Sequence, residues 1–344
     1  MQDIVNELKD WVLQGEEIAL ATVISTWGSS PRPVGAKMGV NAKGGIVGSV
    51  SAGCVEGAVI EVCQEILRNG GTRLLHYGVS DDTAFDVGLM CGGKIEIFVR
   101  KLNNEIFSHW QKRIEEDKPS AVVTILGGKE EYVGKEGIFS EEGNYLAGDL
   151  PIHAISQAKK YALEGISKAK PMRFEAVELE NADVFVDVTM PRPQLIIVGG
   201  VHISIPLVTM AKLMGYYTVI VDPRKAFCNE ERFPHADKLI PKFAKQAFEE
   251  VPITTSSAIA VLTHDPKIDD DALICALNSP AFYIGGLGSK RTQALRRERL
   301  MKAGFTEEQL QRIKGPIGID ILARTPEEIA LSIMAEIVLV RNQQ

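Results

Sequence analysis

The chain has 344 residues, 45% of them hydrophobic and 24% charged, enough to bury one large or two ordinary cores. Its formal net charge of -7 argues against nucleic acid or an anionic membrane as the main partner, because both require a positive field. The start lacks the basic and apolar regions of a signal peptide, and no stretch stays apolar for the roughly 18 residues of a membrane span, so a cytoplasmic protein is expected. Five cysteines, Cys54, Cys63, Cys91, Cys228 and Cys275, form no C-x-x-C pair, which indicates neither a disulfide framework, nor a zinc ribbon, nor an iron–sulfur cluster.

In chain order, residues 3–14 carry Ile4, Val5, Leu8, Trp11 and Val12 at helical spacing, and residues 18–24 form an apolar run suited to a buried strand. Residues 26–57 read as loop and hairpin, turning at Asn41-Ala42-Lys43-Gly44. A helix is expected over 55–67, stopped by Gly70-Gly71, with Cys54 at its start. Residues 95–99 alternate as a strand, and further helices and short strands lead to about Ala169; no internal repeat shows. Pro191-Arg192-Pro193 marks a boundary between domains 1–190 and 191–344. Beyond it, residues 195–198, 218–221, 258–262 and 282–284 read as buried strands, each followed by helix-like text, which implies a parallel sheet covered on both faces. Thr325-Pro326-Glu327-Glu328 announces a last helix by N-cap, proline and capping box. The expected fold class is α/β, a Gly-rich α/β N-terminal domain followed by a Rossmann-type parallel-sheet domain.

Three constellations could carry chemistry. Gly199, Gly200 and His202 lie between a strand and a helix, where a dinucleotide fingerprint lies, and Asp222 ends the next strand, where an acid accepts ribose hydroxyls. Val201 replaces the glycine that lets a pyrophosphate approach, so NAD(P) is expected to bind weakly if at all. Gly285-Gly286-Leu287-Gly288-Ser289 is a second glycine turn into a helix, suited to a phosphate or carboxylate, while Arg296, Arg297 and Arg299 beyond it are explained equally well as a solvated face. His264-Asp265 sits at the carboxyl end of a strand. The third constellation is Ser51-Ala52-Gly53-Cys54-Val55-Glu56, a glycine-rich approach to a helix whose positive end favours a thiolate; Cys91 lies in a similar setting, Gly88-Leu89-Met90-Cys91-Gly92-Gly93. Two such cysteines suggest a soft-metal or sulfur-handling site, and small buried hydrophobes are the alternative.

Together with Thr26-Trp27-Gly28-Ser29-Ser30-Pro31-Arg32-Pro33-Val34-Gly35, Val221-Asp222-Pro223-Arg224, Leu262-Thr263-His264-Asp265-Pro266 and Pro316-Ile317-Gly318-Ile319-Asp320, these segments resemble the XdhC/CoxI family nearly end to end. Its members are accessory proteins in the maturation of xanthine dehydrogenase, the enzyme of purine metabolism, and related molybdenum hydroxylases. The resemblance implies a homo-oligomeric chaperone, commonly a dimer, that binds the molybdenum cofactor (molybdopterin), protects its sulfurated form and delivers it to an apo-hydroxylase, with a cysteine desulfurase as a candidate second partner. It assigns the family's cysteine to Cys54, facing molybdenum or its sulfur beside Gly53, with Cys91 nearby. Arg32, Lys37 and the turn holding Gly286, Gly288 and Ser289 are then expected to meet the cofactor's phosphate. Ala52 stands where the family commonly has glycine, and Val201 where it keeps the glycine of a G-A-G-H motif. The rival reading is an NAD(P)-dependent oxidoreductase or a component of xanthine dehydrogenase itself.

Overall fold

The computed structural model describes residues 1, 4–78, 93–176 and 181–343, and the chain divides into a front unit, Met1–Pro191, and a rear unit, Arg192–Gln344. The front unit opens with α1 (Val5–Leu13), β1 (Ile18–Trp27), β2 (Lys37–Asn41), β3 (Ile46–Gly48), α2 (Glu56–Asn69), β4 (Thr72–Tyr77) and β5 (Lys94–Lys101). It continues with α3 (Asn104–Glu115), β6 (Ser120–Gly127), β7 (Glu136–Ser140), β8 (Tyr145–Gly148), α4 (Ile152–Lys168), β9 (Met172–Ala176) and β10 (Ala182–Thr189). β1 outruns the expected strand because Thr26 and Trp27 still pair with Ile95 and Lys94 of β5.

These two runs are one topology used twice, which corrects the expectation of no internal repeat. The sheets are ordered β3-β2-β1-β5-β4 and β8-β7-β6-β10-β9, all their pairings antiparallel, each with one helix between its third and fourth strands. The central pairs even bulge at the same place, at Ile24 in β1 and Leu126 in β6. Register makes Lys37 the counterpart of Glu136, and Arg100 that of Asp187.

Each buried charge is then answered from the other sheet. Lys37 pairs with Asp187 at 2.6 Å, and Arg100 donates through Nε to Glu136 at 2.7 Å. The signs are exchanged between the two pairs, so a sequence comparison of the copies sees unlike residues at equivalent positions. Ile24, Phe98, Leu126 and Phe185, two counterpart pairs, form one cluster between the sheets. Gly35 lies against Pro171 and its counterpart Gly134 against Thr72, where an added Cβ would sit 2.9 and 2.5 Å from the neighbouring side chain.

The rear unit comprises β11 (Gln194–Val198), α5 (Ser204–Leu213), β12 (Tyr217–Val221), β13 (Lys238–Ile240), α6 (Ala244–Glu250), β14 (Ser257–Val261), α7 (Pro266–Leu277), β15 (Tyr283–Gly286), α8 (Lys290–Lys302), α9 (Glu307–Leu310), β16 (Ile313–Lys314) and α10 (Pro326–Asn342). Its six strands are parallel in the order β13-β12-β11-β14-β15-β16, the doubly wound arrangement of a Rossmann sheet, with a hydrophobic core on each face. The edge strands β13 and β16 are too short to leave a periodic signal in the sequence. Thr325 and Glu328 form the expected capping box of α10. No helix among the described residues is long and apolar enough to cross a membrane.

Asp187→Asn would leave the Lys37 ammonium buried without its counter-charge, a change that costs about 3 kcal/mol or more. Glu17→Gln, which removes the exposed partner of Lys101, should cost below about 1 kcal/mol. Urea unfolding of both variants tests this, and equal losses would contradict the buried pair's role.

Candidate functional site

The Cys54 segment precedes α2, and its shape is set by Glu56. The carboxylate accepts hydrogen bonds from the Ser49 hydroxyl at 2.6 Å, from the amides of Ser51 and Gly53 at 2.8 Å each, and from the Ser51 hydroxyl. Burial alone would raise the Glu56 pKa, but these donors overcome it and bring it down to about 2. Ser51 is fully buried and its hydroxyl also accepts from the Val55 amide. Between them the backbone turns left-handed, with φ of 55° at Ala52 and 111° at Gly53. Among the described residues, nothing lies within 4 Å of a Cβ added at Gly53 or Gly57.

Cys54 is half-buried, its side chain against the core of Val50, Val55 and Val59. Arg32 is brought to the same loop, its Nε donating to the Ser49 carbonyl at 3.1 Å. The expectation that the helix start leaves its positive potential to the thiolate needs correction: α2 begins two residues after Cys54, and Glu56 already sets a carboxylate there. The residue was in plain view as the acid closing the Ser51-to-Glu56 segment, but its role required the folded loop.

Lys37 does not join this loop as a phosphate ligand. It is buried within the front unit, bound to Asp187, donating to the Gly35 carbonyl at 2.7 Å and lying over the Trp110 ring. Cys91 and the segment 87–92 lie outside the described residues. Among the described residues no three potential metal ligands converge.

In the rear unit, the turn after β11 is closed from above. Asp222, fully buried, accepts from the Gly200 amide at 2.9 Å and from the guanidinium of Arg224 at 2.9 and 2.7 Å. Burial raises its pKa, but the Arg224 side chain and amide and the Gly200 amide outweigh that and hold the carboxyl below its ordinary range. An acid so engaged is not presented to ribose hydroxyls, which corrects its expected role. At Gly200 the tightest obstacle is the Phe227 carbonyl: an added Cβ would lie 1.9 Å from it. Arg232 donates to the Gly200 carbonyl at 3.1 Å, while Arg224 stacks on the Phe227 ring. Phe227, Arg224 and Arg232, the cover of the turn, were not singled out for that role by sequence, because their contact with Gly200 is tertiary. His202 is exposed beside this turn, Gly199 adopts φ of 112°, and Ser204 bonds the Gly199 carbonyl.

The second glycine turn is held from inside. Gln293 donates to the carbonyls of Gly286 at 2.8 Å and Gly288 at 3.2 Å, and Ser289 caps α8 by accepting from Thr292. Arg296 is buried, paired with Asp269 at 2.8 Å and donating to the Leu287 carbonyl, rather than part of a solvated face. Ser289, expected to meet a phosphate, serves as the cap of α8. His264 is exposed and Asp265 caps α7.

Two family models match the chain, one described as the XdhC and CoxI family over residues 11–78 and one as the XdhC Rossmann domain over 195–337. A protein of Bacillus subtilis (strain 168), named as a probable subunit of xanthine dehydrogenase, is 28% identical, the match covering 95% of this chain and 94% of that protein. The molybdenum cofactor insertion chaperone PaoD of Escherichia coli (strain K12) is 26% identical over 97% of this chain and 86% of its own length. A crystal structure described as a xanthine dehydrogenase from Bacillus halodurans superposes with a TM-score of 0.79 at 26% identity, over 100% of this chain and 97% of that one.

Two outcomes follow from this geometry. NADH should show no saturable binding by calorimetry, and Val201→Gly should not create it, because the Phe227 carbonyl and Asp222 remain; tight binding by either protein would refute the closed turn. With limiting alkylating reagent at mildly alkaline pH, Cys54 should label before Cys63, Cys228 and Cys275. Burial pushes the Cys63 thiol up to about 12 and also raises Cys228 and Cys275, so preferential labelling of any of them would contradict the assignment.

Proposed function

Because the chain belongs to the XdhC and CoxI family, we propose that it is an accessory chaperone that holds the molybdenum cofactor and hands it to a molybdenum hydroxylase of the xanthine dehydrogenase kind. The observation that carries this reading is the Cys54 loop, a half-buried thiol on a strained turn pinned by Glu56, where no described residue lies within 4 Å of a Cβ added at Gly53 or Gly57. A sulfur is the one soft ligand among the loop's side chains, and a glycine-lined border lets a large planar group approach the backbone. The donor set fits such a group: Cys54 faces the metal or its sulfur, Gly53 leaves room for the ring system, and Arg32 is the basic residue at hand for a phosphate. Once delivered, the cofactor supplies the hydroxylase with its redox chemistry. This chain's residues bind it, orient it and keep it from water, protecting a terminal sulfur until transfer. The name of the Escherichia coli relative, a cofactor insertion chaperone, supports the same reading.

The names of the two Bacillus relatives favour a second reading, a component of xanthine dehydrogenase itself. A component would stay bound to the active hydroxylase and be needed in every turnover, whereas a chaperone is dispensable once the cofactor is in place. Hydroxylase assayed after removal of this chain separates the two.

Protein expressed with molybdate should retain molybdenum and pterin, and Cys54→Ser should lower retention about tenfold or more, the scale on which a metal's surroundings act, while the fold persists. Activation of apo-xanthine dehydrogenase should fall with it. Cys275→Ser, on α7 of the rear unit, should behave as the parent protein. Unchanged retention and activation by Cys54→Ser would refute the role given to this cysteine.

A further inference from the structure

The doubled topology of the front unit gives α2 an internal standard. Helices α2 and α4 both end on a residue of positive φ, Gly70 and Ala169. Their buried faces run in step, Val55, Val59, Cys63 and Ile66 in the first and Ala154, Ala158, Ala162 and Gly165 in the second. The strands before them also match, the Ser49 amide donating to the Lys37 carbonyl at 3.0 Å and the Asp149 amide to the Glu136 carbonyl at 2.9 Å. The first copy carries one residue more between that bond and the matched helix face, an extra residue that an open turn accommodates. Yet α4 begins at Ile152, opposite Gly53, whereas α2 begins only at Glu56. The first turn of the earlier helix is open where that of the later helix is wound.

We infer that Glu56 is a positioning residue that holds this helical turn unwound, and that the unwound turn is what sets the Cys54 thiol for its ligand. Its carboxylate gathers the amides of Ser51 and Gly53 and the hydroxyls of Ser49 and Ser51, whereas the corresponding segment of the second copy, Asp149-Leu150-Pro151-Ile152, carries no hydroxyl. The second copy has no such acid: the residue opposite Glu56 is Ile155. Ala52, with its left-handed φ, carries backbone strain that a wound turn would relieve, so the open form needs the compensation that Glu56 provides. Opening also changes where the sulfur lies. The position opposite Cys54 is His153, which is exposed on its wound turn, whereas Cys54 is half-buried against the front-unit core.

This inference rests on the chaperone reading for its functional part, and two separate readouts test it. Glu56→Gln removes the charge and keeps a good helix former, so the turn should rewind and Cys54 should alkylate several-fold faster, with Cys63 still silent. Retention of molybdenum and pterin should fall at the same time. Gly53→Ala is the second variant: its Cβ meets no described residue, so it acts through the left-handed backbone, and it should shift both readouts the same way. Glu56→Asp, which keeps the charge, should recover part of the parent labelling rate. Labelling of Cys54 unchanged in both Glu56→Gln and Gly53→Ala would overturn the inference. Faster labelling with undiminished retention would overturn the link between the open turn and the ligand. Should the parent protein retain no cofactor, the chaperone reading fails, and the labelling rates still decide whether Glu56 holds the turn.

Discussion

Two charged pairs, Lys37 with Asp187 and Arg100 with Glu136, lie buried where the two sheets of the front unit meet, and each takes one partner from each sheet. A buried pair contributes little beyond what apolar residues of the same size would, but losing one member strands a charge in a medium that cannot solvate it. The pairs therefore act on arrangement. A shift of either sheet by one residue would turn a buried charge to the wrong face. Between them, the cluster of Ile24, Phe98, Leu126 and Phe185 supplies the non-directional attraction, and the ion pairs fix which positions it brings together.

A scaffold built twice from one topology gives each helix a counterpart, so a place where they differ is informative. That place is the start of α2, where Ala52 carries a left-handed backbone and Glu56 collects the loop's donors. Strain of this kind persists only where the surroundings over-determine it, and the surroundings here are a carboxylate held near a pKa of 2, ionised at any physiological pH. The same carboxylate explains why a cysteine beside a helix start is not simply an activated thiol. The local field is already balanced, and what the loop offers is a sulfur at a defined depth.

The rear unit shows how far a fold and its usual ligand can part. Its strand order is that of a dinucleotide-binding sheet, with a glycine turn and an acid in the customary positions. The acid binds the turn itself, and the segment carrying Arg224, Phe227 and Arg232 lies over the glycines. Groups that elsewhere read a ribose and a pyrophosphate are here satisfied by one another, and the buried pair of Arg296 and Asp269 does the same for the second glycine turn.

Local signals carried much of this protein in its sequence. Continuous apolar runs placed the four central strands of the rear sheet, because a strand buried on both faces needs no polar alternation, and the capping box at Thr325 placed α10 to the residue. The order of glycines, serines and cysteine around Cys54 was likewise enough for the family resemblance. What depended on distant partners was not legible. The repeat was hidden because Lys37 answers to Glu136 and Arg100 to Asp187, so equivalence resides in strand register and not in residue type. Lys37 and Arg296 read as available cations until the fold set Asp187 and Asp269 beside them, and Asp222 read as a ribose acceptor until Arg224 closed on it. Sequence determines what a residue can do within its own turn or strand; which charge it meets across a core is decided only when the chain has folded, since burial forces every polar group to find a partner there.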